Sequence, residues 1–317
     1  MPSYSGVWTL TAQYQALGSG NWPGAPLQGS IGLFAGGNTS GSTIDYVTIT
    51  SAGNAIDFGD LTTATQSLAS CSSSTRGLFG GGQVPTKVNV IEYVTIVNAG
   101  NATDFGDLTD ARLALAGCSS ATRGVFAGGE GTVNPTNIID YVTIASTGNA
   151  TDFGDLTTAR QRISGCSSTT RGVFAGGQGS NSATVYNIID YITIASTGDA
   201  TDFGDLTTTY RWGSASSSAT RGVLAMGING AGSVVNTIEY ITIASTGNAT
   251  DFGDLTVTRY GTASCASSTR SLFGGGEAPS NVIDFVTIAS TGNATDFGDL
   301  TVARQNLAAC SNAHGGL

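Results

Sequence analysis

The sequence predicts an all-β fold: a six-bladed β-propeller of four-stranded antiparallel blades, closed by a C-terminal strand that completes the N-terminal blade. Three observations predict it. The string Asp-Phe-Gly-Asp-Leu-Thr begins at Asp57, Asp104, Asp152, Asp202, Asp251 and Asp296, and self-similarity at a fixed period of this length marks a repeat architecture. A second landmark, an aromatic residue or Leu followed by small residues and glycine, recurs once per repeat, as in Phe34-Ala-Gly-Gly37 and Phe174-Ala-Gly-Gly177. Glycine outnumbers proline by 46 to 6, which suits short strands joined by tight turns.

Residues 160–208 serve as the type repeat. Residues 163–167 read as a first short strand, followed by the polar turn Ser168-Thr-Thr-Arg-Gly172. Residues 172–175 read as a second strand that ends in glycines. Residues 188–194 form a third, rich in β-branched and aromatic residues, with too few polar breaks for a sheet that faces water on one side. The Ser-Thr-Gly-Asp turn at 196–199 leads into a fourth strand at 202–206. Sheets packed radially around an axis account for a middle strand that is apolar on both faces.

The first repeat begins at its second strand, residues 31–36, and the chain finishes on an orphan first strand, residues 306–311. Pairing the two removes the exposed edges an open array would leave. The domain division is therefore 1–30, an N-terminal appendage that caps or docks, and 31–317, the propeller.

These repeats resemble the kelch family. A glycine pair closes the second strand, an acidic residue precedes Tyr in the third (Asp45-Tyr46, Glu92-Tyr93, Asp140-Tyr141, Asp190-Tyr191, Glu239-Tyr240), and Leu then Arg leave the fourth. The resemblance covers about residues 31–317. Where kelch repeats carry a tryptophan after the third strand, this chain has Phe58, Phe105, Phe153, Phe203, Phe252 and Phe297. The near-identical copies also look like repeats of marine phage virion and tail proteins, especially of phages that infect cyanobacteria. That second resemblance implies a virion protein, assembled in the host cytoplasm without a signal peptide.

Composition excludes several function classes. The formal net charge is −10 and Lys87 is the only lysine, so no basic stripe exists to bind a nucleic acid backbone or an anionic membrane. No run of 18 apolar residues occurs, and membrane insertion is not expected. The only histidine is His314, which leaves little from which to build a triad or a metal site. Six Asp-Phe-Gly copies without the other kinase motifs are framework. The chain is expected to be a non-enzymatic protein with no metal and no cofactor.

Cys71, Cys118, Cys166, Cys265 and Cys310 occupy one position in five repeats, with Ser216 in the sixth. They read as small buried free cysteines, because equivalent atoms of different blades surround an axis too widely for disulfides. The Asx residue of the turn after the third strand, Asn101 or Asp199 for example, reads as a turn former.

Most charges also obey the repeat. Arg76, Arg123, Arg171, Arg221 and Arg270 follow the turn between strands one and two, and Asp57, Asp104, Asp152, Asp202, Asp251 and Asp296 begin strand four. Both places fall on one face, which predicts a repeated arginine–carboxylate ring. Ile31 and Gly315 stand at the arginine position at the chain ends, so the blade they complete should lack the contact.

The copies differ in two kinds of segment: 38–43, 83–90, 130–137, 178–187, 228–236 and 277–281 between strands two and three, and 64–67, 111–114, 159–162, 209–212, 258–261 and 303–306 between blades. Strand alternation puts both kinds on one face, opposite the constant turns. A rigid scaffold with one diversified face is the arrangement of a binding protein. Trp212, Tyr210, Arg211, Tyr260, Arg162, Gln161, Lys87 and Tyr186 are the candidate ligand-binding residues, because aromatic and arginine side chains carry binding energy disproportionately and stack on sugars. The expected partner is a host-surface glycan or protein. Residues 1–30, with Trp8, Tyr14 and Trp22, are expected to cap the propeller or to dock on other virion proteins. A structural decoration protein, or an intracellular interaction scaffold, is the alternative.

Overall fold

In the computed structural model, which describes residues 26–38, 41–277 and 280–317, each repeat folds into one four-stranded antiparallel sheet. The type repeat supplies Ser164–Ser167, Arg171–Ala175, Ile188–Thr193 and Thr201–Asp205, paired in that order. Its third strand is buried on both faces at Ile189, Asp190 and Ile192. Blade one is assembled from both ends of the repeat array. Ala308–Ser311 pairs with Ile31–Ala35 in the register Gly32↔Ser311 to Ala35↔Ala308. The predicted closure is therefore present. Of the appendage, Trp8, Tyr14 and Trp22 lie outside the described residues; Leu27 donates its N–H to Val97 O in blade two at 2.7 Å.

The six innermost strands surround the axis and are tied by serine hydroxyls. Ser72 Oγ donates to Ser311 O, Ser119 Oγ to Ser72 O, Ser167 Oγ to Ser119 O, Ser217 Oγ to Ser167 O and Ser311 Oγ to Ala266 O, at 2.6–2.8 Å. Ala266 breaks this ring, having no hydroxyl for Ser217 O. That carbonyl instead receives the N–H of Gly315 at 2.9 Å. Residues 312–317 thus turn into the axis, where His314 Nε2 lies 3.1 Å from Ser72 O and 3.3 Å from Ser119 Oγ. Burial drives the His314 pKa down to about 4, against the opposing effect of the Ser72 carbonyl.

Apolar packing lies between blades. One layer joins Val125 and Phe153 of blade three to Phe174 and Ile192 of blade four. Close backbone approach fixes two repeated residue types. The glycine of Asp-Phe-Gly-Asp is required because a Cβ on Gly154 would stand 2.5 Å from the Gly198 backbone of the next blade. The turn residue beside Gly198 also bridges blades: Asp199 Oδ1 accepts from Asp155 N at 3.1 Å, as Asn149 does from Asp107 N at 3.0 Å. The cysteine thiols pack against glycines in the next blade; a Cβ on Gly172 would lie 2.6 Å from Cys118 Sγ. All five cysteines are buried and free, and burial raises their pKa values.

The charges are arranged otherwise than the sequence suggests. Arg76, Arg123, Arg171, Arg221 and Arg270 do not pair with aspartates. Each stacks on the third-strand aromatic of its own blade (Tyr93, Tyr141, Tyr191, Tyr240 and Phe285) at 4.3–4.8 Å. Each then donates Nη1 to a carbonyl of the next blade, as Arg171 does to Ile243 O at 3.0 Å. These rings also meet the Phe of Asp-Phe-Gly-Asp edge to face, Tyr191 and Phe203 at 6.0 Å for example. Asp57, Asp104, Asp152, Asp202, Asp251 and Asp296 are exposed on the outermost strands. The guanidinium gains an aromatic face and a neighbouring backbone acceptor, whereas the outer-strand carboxylate keeps its hydration.

The ion pairs are formed by the second set of arginines. Arg112, Arg160, Arg259 and Arg304, each leaving a fourth strand, reach into the next blade to Asp140, Asp190, Asp284 and Asp45 at 2.6–2.9 Å, with both side chains essentially inaccessible. Arg160 also donates to Gly176 O, Ile188 O and Phe174 O. These further bonds are what a desolvated ion pair needs to hold its charge.

Candidate functional site

The two kinds of variable segment meet around the axis on one face. They line a cavity of about 810 Å³ formed by Gln66, Ser67, Gln83, Lys87, Leu113, Glu130, Thr132, Arg162, Trp212 and Asn306, among others. The last residues of the inter-blade segments encircle the axis here, and four of them, Ser67, Arg162, Trp212 and Asn306, line the cavity. Ser67, Ala114, Arg162, Trp212, Gly261 and Asn306 all take left-handed backbone conformations, with φ between 55° and 66°. A non-glycine residue there costs about 1–2 kcal/mol, so the surrounding structure must impose it. It does so through a closed cycle of backbone hydrogen bonds. Ala114 N donates to Ser67 O, Arg162 N to Ala114 O, Trp212 N to Arg162 O, Gly261 N to Trp212 O, Asn306 N to Gly261 O and Ser67 N to Asn306 O, at 2.7–3.2 Å.

Six equivalent positions thus share one backbone geometry and carry six different side chains. The aromatic and cationic members cluster. The Arg162 guanidinium lies 4.5 Å from the Trp212 ring centre, and Trp212 and Tyr260 are 6.3 Å apart at 45°. Arg162 Nη1 donates to Gln178 Oε1 at 2.8 Å. Its partial burial and the proximity of Arg211 lower its pKa. Tyr260 is raised by a hydrogen bond with Glu277 and by burial. Across the cavity Lys87 pairs with Glu130 at 3.0 Å and donates to Gly131 O at 2.9 Å.

The structure brings Trp212, Arg162 and Lys87 to the cavity wall, with Tyr260 beside Trp212. Arg211 is partly buried and donates to Ser182 O at 2.6 Å, and half-buried Tyr186 stands against Gly179; neither lines this cavity. Two candidates belong to the scaffold. Gln161 is buried and donates to Asn134 Oδ1 at 2.9 Å. Tyr210 is buried at the position that holds arginine in four other blades. Ser67, Ala114, Asn306 and Glu130 were not among the sequence candidates. For Ser67, Ala114 and Asn306 the signal was present in the sequence, because the last residue of each inter-blade segment differs in every copy of a near-identical repeat, whereas Glu130 opens a variable segment between strands two and three.

Among the described residues no group of His, Cys, Asp and Glu is arranged to hold a metal ion. No helix among them is long and apolar enough to cross a membrane. No protein-family model matches this chain, and no curated protein matches it either.

Proposed function

We propose that this protein is a non-enzymatic binding module, a virion- or tail-associated adhesin of kelch-like blades that takes a host-surface glycan or protein at the axial mouth of its variable face. The observation that carries the reading is the ring of Ser67, Ala114, Arg162, Trp212, Gly261 and Asn306, uniform in backbone and different in every side chain. A ring under purely structural constraint favours glycine at each such position; only Gly261 meets that preference. The Trp212–Tyr260 pair with Arg162 alongside offers the aromatic face and the donor that suit a sugar ring. Placement in a virion rests on the likeness of the near-identical copies to phage tail repeats, and docking through residues 1–30 belongs to the same proposal.

The test is a glycan array together with binding to candidate host cells, with the intact chain and with W212A and R162A. Binding that falls at least about tenfold in either variant, at unchanged thermal stability, supports the reading. Binding that survives both substitutions overturns the assignment to the mouth. Stoichiometric presence in purified particles without glycan or cell binding would make the protein a decoration of the virion.

A further inference from the structure

The interfaces between blades fall into two kinds, and the difference leaves a second site. Four interfaces insert an arginine from one blade toward an aspartate of the next. At the other two the inserted residue is Thr65 or Tyr210, and the facing acid is Glu92 or Glu239 in place of aspartate. Each acid, in every blade, is held by a threonine at the end of the preceding fourth strand, as Thr157 holds Asp190 and Thr62 holds Glu92. The acid is therefore retained where its cation is not.

Tyr210 fills the space at the interface of blades four and five, its ring in the apolar layer and its hydroxyl beside Thr207 and Thr237. Thr65 cannot. Its side chain folds back to Thr63 O at 3.0 Å. A cavity of about 160 Å³ remains between blades one and two, lined by Leu61, Leu68, Phe79, Val84, Val88 and Glu92, among others. The carbonyls of Phe79, Gly81 and Val90 and the Glu92 carboxyl stand where Phe174, Gly176, Ile188 and Asp190 receive the Arg160 guanidinium.

We propose that this cavity is a binding site for a small organic cation, a guanidinium on a short alkyl stem, whose head pairs with Glu92 and whose stem lies against Leu68, Val84 and Val88. At three native interfaces the same head group satisfies the equivalent acceptor set, and at the fourth Arg112 meets all of it but the glycine carbonyl. Burial, with Asp104 nearby and against the Thr62 hydrogen bond, pushes the Glu92 pKa up to about 7. The carboxylate is thus best populated for pairing at mildly alkaline pH. The site is separate from the axial mouth and does not depend on the adhesin reading.

Calorimetric titration of the full chain at pH 8 and constant ionic strength tests this, with propylguanidinium as probe and propylammonium and neutral N-propylurea beside it. The expected result is one saturable site that binds propylguanidinium best and the urea not at all. E92Q should weaken it about tenfold or more, the scale of a hydrogen bond to a charged group. The double variant T65R/E92D rebuilds the pair found at four interfaces, so it should fold and lose the site; W212A should bind the probe as the parent chain does. Absence of saturable binding to the parent chain, or equal binding by the urea, by E92Q or by T65R/E92D, overturns the proposal.

Discussion

Ser216 and Ser271 share a hydrogen bond of 2.5 Å across the interface of blades five and six. At the other five interfaces the same two positions are a cysteine and a glycine, and the thiol fills the volume that a glycine Cβ would take. Shortening one partner's sulfur to oxygen makes room for a side chain on the other, and the two hydroxyls satisfy each other in a buried place. We expect S216C and S271G each to destabilise the fold, by about 1–3 kcal/mol where a hydroxyl is left unpaired. The double variant S216C/S271G should recover most of that loss. Chemical denaturation of the four proteins measures the coupling, and additive losses would contradict it.

The two sets of arginines should differ in cost. R160A leaves Asp190 buried without its cation, a loss of about 3–5 kcal/mol. R171A removes a cation–aromatic contact and one hydrogen bond at a partly exposed site, about 1 kcal/mol, and should leave binding at the opposite face unchanged. Equal destabilisation by the two substitutions would show that the buried pairs do not bear the load assigned to them.

Glu92 sets a pH dependence of defined sign. Its pKa is raised in the folded chain to about 7, so the folded state binds more protons than the unfolded one between the ordinary glutamate value and about 7. Stability from this group therefore falls as pH rises through that window. The melting temperature of E92Q minus that of the parent chain should grow between pH 5 and pH 8, and a constant difference would refute the shift. Glu239 is raised for the same reason, burial, and contributes equally to both proteins.

His314 acts in the opposite sense. Its pKa is lowered to about 4, so the unfolded or undocked tail takes up the proton first as pH falls from about 6.5. Stability from the docked tail is present above that value and is lost toward pH 4. Hydrogen exchange at Gly315, whose N–H is bound to Ser217 O, should slow less between pH 7 and pH 5 than the base-catalysed intrinsic rate does, an excess that reports opening of the tail. H314Q, which stays neutral, should abolish the excess; an unchanged excess in H314Q would place its origin elsewhere.

The fold was legible because the repeat is explicit. Six Asp-Phe-Gly-Asp copies set the blade count, the composition of residues 188–194 revealed a strand buried on both faces, and the orphan strand at 306–311 implied the closure seen between Ala308–Ser311 and Ile31–Ala35. The diversified face was equally visible, since variation among copies is a property of the sequence alone. Which arginine met which acid was not read correctly. Arg171 and Asp202 lie on one face by strand order, yet Arg171 stacks on Tyr191 of its own blade, and it is Arg160, leaving the preceding blade, that the packing of one blade on the next brings to Asp190. The signal for the true partners was a covariation within the chain: aspartate accompanies an inserted arginine, and glutamate accompanies Thr65 and Tyr210. The docking of His314 could not be read at all. It requires a carbonyl left open by Ala266, a tail that turns inward after Ser311 and an axis narrow enough to hold it, and only packing in three dimensions brings those together. Local period and composition fixed the strands and their order; the contacts across blades were decided by the close approach of backbones that no single repeat contains.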